Sequence, residues 1–289
     1  MKKFCKLIFF CIMILILLTL TACDEENGED EMPENPASIP SNELPDEYAH
    51  LPLLDQTVIA RIRENPVVFH QLNPVSPGEE LVVLHTNHGD ITLRFFPEDA
   101  PMAVENFLTH ARNGYYDNVI FHRVLNNFMI QGGDPTGTGH GGESIFGEPF
   151  GIEPSFNLRH FRGALAMAHA GGRSMGSQFY IVQNPSTGGQ HAAMFRNMLG
   201  NLDEPIGRFS DGTIFRNSDV HSREELEYFL NNGGTPHLDW LWNNDGHTVF
   251  GHVVEGMDVV DSIARTDADR NGRPDEDVII ERVSFIIAD

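Results

Sequence analysis

Residues 121–134 read Phe-His-Arg-Val-Leu-Asn-Asn-Phe-Met-Ile-Gln-Gly-Gly-Asp, and this stretch decides how the chain folds. It places an arginine, a phenylalanine, a methionine and a glutamine within nine positions of a strand-like run. Successive side chains of a strand point to opposite faces, so Arg123, Met129 and Gln131 share one parity unless the loop at 125–127 resets the phase. The spacing indicates either a cation and an amide beside an apolar surface, or an edge strand with a solvated arginine.

Three further blocks follow in chain order: Ala164-Leu165-Ala166-Met167-Ala168-His169-Ala170-Gly171, Gly176-Ser177-Gln178-Phe179-Tyr180-Ile181 and His247-Thr248-Val249-Phe250-Gly251. Together with residues 121–134, they resemble the signature of the cyclophilin family of peptidyl-prolyl cis-trans isomerases. Matching blocks extend from about Leu81 to Ile287, roughly 70% of the chain. The resemblance implies a mainly β fold: a closed, eight-stranded antiparallel β-barrel capped by two helices, with the site on its outer surface.

Local patterns also favour a β-rich fold with few helices. Residues 81–86 and 91–96 read as two strands joined by a tight turn at 87–90. A helix is then predicted to open at Asp99-Ala100-Pro101, with proline in its first turn and Gly114 just past its end. Its apolar stripe consists of Val104, Phe107, Leu108 and Ala111.

The resemblance also implies a role for each matching site residue. Arg123 would donate to the prolyl nitrogen, while Gln131 would hold the carbonyl side of the substrate and help to fix the arginine. Phe128, Met129 and Tyr180 would form the pocket for the proline ring. The remaining substrate-binding positions contact the substrate backbone or line the edge of the pocket: Ala168, His169, Gln178, His237, Leu238 and His247.

An arginine suits this role because its guanidinium is rigid and stays charged. The bond before proline crosses between cis and trans over a barrier of ~18–20 kcal/mol. A donor aimed at the prolyl nitrogen stabilises the twisted form more than the planar ground state, which is what catalysis requires. No nucleophile, metal or cofactor is needed for this chemistry.

The sequence departs from the family pattern at three places. Position 180 is tyrosine where the family usually has phenylalanine, so a hydroxyl must find a partner near the proline pocket. The family's tryptophan position falls either on His237, with residues inserted after Asp239, or on Trp242, and sensitivity to cyclosporin, which depends on that tryptophan, is left open. The third departure is an insertion at about 186–234.

The insertion is predicted to be partly helical. Ser222-Arg223-Glu224-Glu225 forms a capping box that opens a helix through Leu226 and Phe229, and Gly233-Gly234 closes it. Because it lies between two blocks that line the site in relatives, the insertion forms either a lid or an extra substrate wall, or it packs elsewhere on the barrel.

The N-terminus has the pattern of a bacterial lipoprotein signal. Three lysines precede an uncharged stretch from Leu7, and Leu20-Thr21-Ala22-Cys23 resembles a lipobox, which predicts a signal peptide at 1–22 and a lipid on Cys23. The alternative is an uncleaved membrane anchor, but the uncharged stretch is shorter than the ~20 residues that a span usually needs. We therefore expect a lipid-anchored, extracytoplasmic protein.

Residues 23–48 are expected to form a disordered acidic tether, and residues 49–80 an N-terminal extension of the domain at 81–289. The tether carries ten acids, no Lys or Arg and four prolines. After the signal, the chain has sixteen basic residues, all arginine, against forty-two acids, a net charge of about −26. Such a charge argues against nucleic-acid binding. Only Cys23 remains, so an intrachain disulfide is excluded.

One rival motif concerns calcium. Asp267, Asp269, Asn271 and Gly272 reproduce the first half of a calcium-binding loop, but Val278 stands where a bidentate glutamate belongs. The loop is thus a weak calcium candidate, and it raises a minor alternative function as a calcium-dependent surface adhesion domain.

Taken together, the residues and the resemblance predict a monomeric peptidyl-prolyl cis-trans isomerase. It would act on Xaa-Pro bonds of exported or cell-surface polypeptides and assist their folding, while lipidated Cys23 holds it at the membrane. The main alternative is a non-catalytic module or chaperone that binds proline-containing segments.

Overall fold

A computed structural model describes residues 68–169, 174–208, 214–239 and 246–289. These residues belong to one compact unit that spans Pro45–Asp289. The predicted signal peptide, Cys23, the acidic tether and Trp242 lie outside the described residues. None of the helices in the described part of the chain is long and apolar enough to span a bilayer.

Thirteen strands and four helices make up the described structure. The strands are β1 (Glu80–Thr86), β2 (Gly89–Phe95), β3 (Val119–Ile120), β4 (Arg123–Leu125), β5 (Met129–Gly132), β6 (Phe150–Gly151), β7 (Ala164–Met167), β8 (Ser174–Met175), β9 (Phe179–Val182), β10 (Pro205–Arg208), β11 (Ile214–Arg216), β12 (Val249–Glu255) and β13 (Ile279–Ile287). The helices are α1 (Pro101–Arg112), α2 (Gly189–Gly200), α3 (Arg223–Asn232) and α4 (Met257–Ala264).

Nine strands form one antiparallel sheet in the order β3-β13-β1-β2-β12-β7-β9-β5-β4, and β10-β11 and β6-β8 form two short ribbons. The mainly β fold is thus confirmed and the sheet is a curled half-barrel, while the closed eight-stranded barrel stays a prediction. Residues 119–125 are interrupted at Phe121 and His122. Ile120 pairs with β13 whereas Arg123 pairs with β5, so this segment supplies the two end strands of the sheet.

Helix α1 follows its sequence signals and covers the main core. Pro101 stands in its first turn, and Gly114, just past its end, has a φ of 70° that favours glycine. Its buried face includes Val104, Phe107 and Ala111. The Phe107 ring contacts Phe179 of β9 at 5.3 Å and Phe250 of β12 at 5.6 Å between centroids, which anchors the helix to the sheet.

The insertion supplies the two helices beyond the expected pair, α2 and α3. The capping box is confirmed, because the Ser222 side chain accepts from the Glu225 backbone N–H, and α3 ends at Asn232. The two helices pack around Phe161 in an apolar cluster with Phe195, Met198, Leu226 and Phe229. The insertion therefore has its own small core, fixed to the segment that leads into β7.

The described end of the predicted N-terminal extension, residues 68–79, also packs on that segment. The Val68 backbone N–H donates to Asn157 Oδ1 at 2.9 Å. The buried Gln71 amide donates to the Arg159 carbonyl at 3.0 Å and accepts from the Arg159 N–H at 2.8 Å. Residues 157–159 therefore hold the extension on one side and lie close to the insertion on the other.

Candidate active site

The hairpin of β4 and β5 places the arginine and the glutamine of the opening motif side by side. Arg123 and Gln131 are direct cross-strand partners, and Leu125 pairs with Met129. Asn127 turns the hairpin with a φ of 61°, a conformation that asparagine tolerates better than most residues. Arg123 Nη1 donates to Gln131 Oε1 at 3.3 Å. The shared parity inferred from the sequence is thus confirmed.

A chain of side-chain amides holds Gln131 in place. Gln131 Nε2 donates to Gln178 Oε1 at 3.0 Å, and Gln178 Nε2 donates to the carbonyls of Gly139 at 3.1 Å and Gly141 at 2.7 Å. Each amide oxygen accepts from the preceding member of the chain, so both amide orientations follow from their partners. This chain, Arg123–Gln131–Gln178, is called the donor chain below.

The loop that accepts from Gln178 is organised by buried Asp134. Its carboxylate accepts from the backbone N–H groups of Thr136, Gly139 and Gly141 at 2.8, 2.7 and 3.1 Å. Burial alone would raise the pKa of this carboxyl, but the hydrogen bonds from Thr136, Gly141 and Gly139 outweigh it and lower the pKa to about 2. The donor chain therefore ends on a loop that is held together by the Asp134 carboxylate, which is charged at neutral pH.

An apolar cluster lies beside the donor chain. Met129 and Tyr180 are buried in an apolar cluster on which Phe128, Ala168 and Leu238 pack while partly exposed. Tyr180 is the cross-strand neighbour of both Gln131 and Ala166, so β9 connects the pocket to the donor chain. Binding of a proline ring by Phe128, Met129 and Tyr180 stays a prediction, and these three residues are called the proline pocket below.

Three histidines form the edge of this pocket, its rim. The His237 ring stacks on Phe128 with the centroids 5.9 Å apart and the planes 19° apart. His247 meets Tyr180 edge to face at 5.4 Å and stacks on His169 at 4.0 Å. His237 thus lies against Phe128, and the assignment of the family's tryptophan position to His237 or Trp242 stays a prediction, since Trp242 lies outside the described residues.

His247 is held neutral by its surroundings. Its Nδ1 lies 3.0 Å from the Met167 carbonyl, which fixes the proton on that nitrogen. Burial, followed by the charges of His169 and His160, lowers the pKa of His247 to about 4. At neutral pH the rim therefore presents an uncharged imidazole to the pocket.

Two site residues were missed at the sequence level: His160 and Asp239. The Tyr180 hydroxyl lies 2.9 Å from His160 Nε2, and His160 Nδ1 lies 2.7 Å from Asp239 Oδ1. The expectation that the Tyr180 hydroxyl must find a partner is confirmed. No spacing in the sequence could identify that partner, because His160 lies twenty residues earlier in a stretch without a motif.

The insertion reaches the rim of the pocket through α2. The His191 ring lies 5.9 Å from the His237 ring, with the planes 36° apart. Of the alternatives for the insertion, this contact favours an additional wall beside the pocket over a segment that packs only elsewhere.

The geometry of the loop at 267–272 does not support calcium binding. Asp269 Oδ1 accepts from the backbone N–H groups of Asn271 at 2.7 Å and Arg273 at 2.9 Å, so it closes the turn itself. Among the described residues, no group of three or more His, Cys, Asp or Glu side chains is arranged to hold a metal ion. The site at Asp267, Asp269 and Asn271 stays a prediction.

The arrangement combines an apolar pocket with a cationic donor at its edge. Arg123 is half-buried, and in the described ranges no carboxylate forms an ion pair with it. One of its five N–H donors is used by Gln131, so others can reach a bound molecule. A charged donor next to an apolar surface acts more strongly than it would in bulk water.

Comparison with known proteins agrees with this geometry. Residues 81–285 match the family described as "Cyclophilin type peptidyl-prolyl cis-trans isomerase/CLD". A Staphylococcus aureus protein, named as a candidate peptidyl-prolyl cis-trans isomerase, is 44% identical over 74% of this chain and 96% of its own. A similarly named Staphylococcus saprophyticus protein is 41% identical over 75% of this chain and 98% of its own.

Solved structures give the same result. The crystal structure of a Cryptosporidium parvum cyclophilin type peptidyl-prolyl cis-trans isomerase aligns with a TM-score of 0.52 and 27% identity, over 73% of this chain and 99% of that one. A second crystal structure of that protein, determined in the presence of the dipeptide Ala-Pro, aligns with a TM-score of 0.50 and 28% identity over 72% and 99% of the chains.

Proposed function

Because the chain belongs to the cyclophilin-type peptidyl-prolyl cis-trans isomerases, we propose that it isomerises Xaa-Pro bonds in exported or cell-surface proteins and so assists their folding. The observation that carries this proposal is the donor chain beside the proline pocket. Arg123 Nη1 lies 3.3 Å from Gln131 Oε1, and Gln178 fixes Gln131 in turn. A proline ring in the pocket would have its nitrogen next to the guanidinium.

The proposed mechanism is differential stabilisation of the twisted peptide bond. Rotation removes the resonance of the amide and returns a lone pair to the prolyl nitrogen, which then accepts a hydrogen bond from Arg123. The planar ground state offers a much poorer acceptor. Each ~1.4 kcal/mol of this preference accelerates the reaction about tenfold. Gln131 holds the guanidinium in position and the carbonyl side of the substrate.

The pocket supplies binding and orientation. Phe128, Met129 and Tyr180 offer an apolar surface to the proline ring, and Met129 adapts its shape to the contact. Ala168, His169 and Gln178 contact the substrate backbone, and the rim, together with Leu238, borders the bound segment. A structural relative was solved in the presence of Ala-Pro, which supports a proline-containing substrate for this site as well.

Turnover of a tetrapeptide that contains Ala-Pro, measured with the full chain in mild detergent, tests the activity. We expect Arg123→Ala to lower kcat/KM by about 10- to 100-fold, because a charge-assisted hydrogen bond is worth ~1.5–3 kcal/mol. Arg223→Ala is the matched control, since among the described residues this exposed arginine of α3 pairs only with Glu227, at 3.7 Å. A folded wild-type chain that binds the peptide without turnover would favour the non-catalytic binding module.

The proposed location is the outer side of a membrane, with the protein monomeric and held by lipidated Cys23. Support comes from the uncharged segment, the lipobox-like Leu20-Thr21-Ala22-Cys23 and the acidic stretch that follows. In a bacterial host, Cys23→Ser should abolish incorporation of labelled fatty acid and release the protein from the membrane fraction. Unchanged labelling in this variant would contradict lipidation at Cys23.

We further propose that the curled sheet closes into a barrel through residues 119–125. Its end strands β3 and β4 are separated along the chain by Phe121 and His122 alone. The Phe121 N–H donates to the Val278 carbonyl at 2.8 Å, which continues the pairing with β13 partway across the interruption.

A further inference from the structure

A hydrogen-bonded chain joins the floor of the proline pocket to its rim. It runs from the Tyr180 hydroxyl to His160 Nε2 at 2.9 Å, and from His160 Nδ1 to Asp239 Oδ1 at 2.7 Å. All three residues are buried, with 4%, 1% and 3% of their surface exposed. We call Tyr180, His160 and Asp239 the buried chain.

The donors of the buried chain can be assigned from its ends. The Asp239 carboxylate can only accept, so His160 Nδ1 donates to it, and the other ring nitrogen, Nε2, shares a hydrogen bond with the Tyr180 hydroxyl. The same Asp239 oxygen also accepts from the His160 backbone N–H at 2.6 Å. One carboxylate therefore fixes both the main chain and the ring of His160, and the ring fixes Tyr180.

Asp239 also connects the buried chain to the rim of the pocket. It directly follows the 3₁₀ turn Pro236–Leu238, which carries His237 and Leu238, and its N–H donates to the Pro236 carbonyl at 3.1 Å. The Thr235 N–H donates to the His160 carbonyl at 2.8 Å, so a second bond ties the turn to the same residue. The position of the rim relative to β9 thus depends on His160.

The space beside the buried chain is too small for a ligand. A cavity of about 10 Å³ touches His160, Asp239 and His247. A water molecule already requires roughly this volume. In the described part of the chain, no side-chain hydrogen bond links the buried chain to Arg123, Gln131 or Gln178, and the two chains meet only through the strand pairing of Tyr180 with Gln131. We therefore expect the buried chain to act on the shape of the pocket more than on the cationic donor.

We propose that His160 and Asp239 are positioning residues that set the affinity for the proline ring by clamping Tyr180 and the turn Pro236–Leu238 into one pocket. This inference rests on the proposed function for the identity of the substrate. The ring contacts the pocket in both the planar and the twisted state, so the clamp acts on both states equally. Loss of such uniform binding raises KM and leaves kcat unchanged.

The test measures Kd and steady-state kinetics on the Ala-Pro tetrapeptide with the full chain. Tyr180→Phe keeps the ring and removes the hydroxyl, and His160→Gln breaks the chain at its centre. We expect each variant to raise Kd and KM by about fivefold, with kcat within about twofold, because both variants lose the hydrogen bond between Tyr180 and His160. The double variant should be no worse than either single one, since both cut the same chain.

His252→Gln is the matched control. This buried histidine lies on β12, contacts the Gln71 amide at 3.2 Å and belongs to neither the pocket nor the buried chain. It should lower Tm without changing Kd. Unchanged Kd in Tyr180→Phe and His160→Gln, or effects that multiply in the double variant, would overturn the proposal. Because Kd is measured directly, a chain that binds without turnover refutes the proposed activity and leaves the clamp testable.

Discussion

Replacing Glu225 by glutamine should strongly destabilise the domain, because the carboxylate of this capping-box residue is buried against Arg159. Glu225 lies on α3, and its Oε1 accepts from Arg159 Nε at 2.6 Å. Both side chains are 1% exposed. His221 Nδ1 lies 3.1 Å from the other carboxylate oxygen. The substitution leaves a buried guanidinium without its counter-charge.

The expected loss follows from that burial. Removing one partner of a buried ion pair costs ~3–5 kcal/mol, since the remaining charge has no water to solvate it. For a domain of ~200 residues, each 1 kcal/mol shifts Tm by about 2–4 °C. The Glu225→Gln variant should therefore melt about 6–20 °C below the wild type.

The pH dependence of stability should also show the contribution of the Glu225–Arg159 ion pair. Burial would raise the pKa of Glu225, but the charges of Arg159 and His221 outweigh it and hold the pKa below its ordinary value of 4.5. The stabilisation is therefore complete above pH 4.5 and is lost as the pH falls through the lower, folded-state pKa. Glu225→Gln should be less sensitive to acid in this range than the wild type.

Thermal unfolding at pH 7, followed by circular dichroism, measures the effect. Glu227→Gln is the matched control, because Glu227 is exposed two residues further along α3 and pairs with Arg223 at 3.7 Å. It should change stability by less than about 0.5 kcal/mol. A double variant, Arg159→Met with Glu225→Leu, should regain most of the loss. If Glu225→Gln melts within 2 °C of the Glu227→Gln control, the backbone carbonyls around Arg159 satisfy it alone and the reasoning is wrong.

Two further predictions concern the site. Burial, then the charges of His169 and His160, hold the pKa of His247 at about 4, so the unfolded chain binds a proton below pH 6.5 that the folded protein excludes. The free energy of unfolding, measured by urea titration, should therefore decrease as the pH is lowered from about 6.5 to about 4. In His247→Asn this decrease should be smaller. The same pH dependence in the variant and the wild type would contradict the prediction. Asp134→Asn should lower stability by about 2–4 kcal/mol in the same titrations, because an amide nitrogen would face N–H donors such as Gly139; a loss below 0.5 kcal/mol would contradict the loop's dependence on that carboxylate.

Local sequence patterns predicted those parts of the fold whose causes are local. The capping box at Ser222 and Glu225 requires a side chain and a backbone group only three residues apart, and α3 begins where the box predicts. The shared face of Arg123 and Gln131 was likewise indicated by strand parity, although their pairing across a hairpin was not predicted. Such features depend on few residues, so one sequence is enough to detect them.

The features that the sequence did not predict depend on distant partners. The interruption of the strand at Phe121 and His122 is set by the pairing of its two halves with β13 and β5. The partner of the Tyr180 hydroxyl could have been any buried polar group, and only the packing of the segment before β7 against β9 selects His160. Asp239 likewise follows a turn whose position is decided by tertiary contacts.

The segment before β7 explains how this chain accommodates its departures from the family pattern. Arg159 donates hydrogen bonds to Gln71 of the extension and to Glu225 of the insertion. The next residue, His160, forms a hydrogen bond with Tyr180. The donor chain depends instead on the loop around Asp134, on the other side of Gln178. Under the proposed function, substrate affinity and the catalytic donor would therefore depend on different parts of the fold. Changes in the extension and insertion would then adjust proline binding while Arg123 keeps its position.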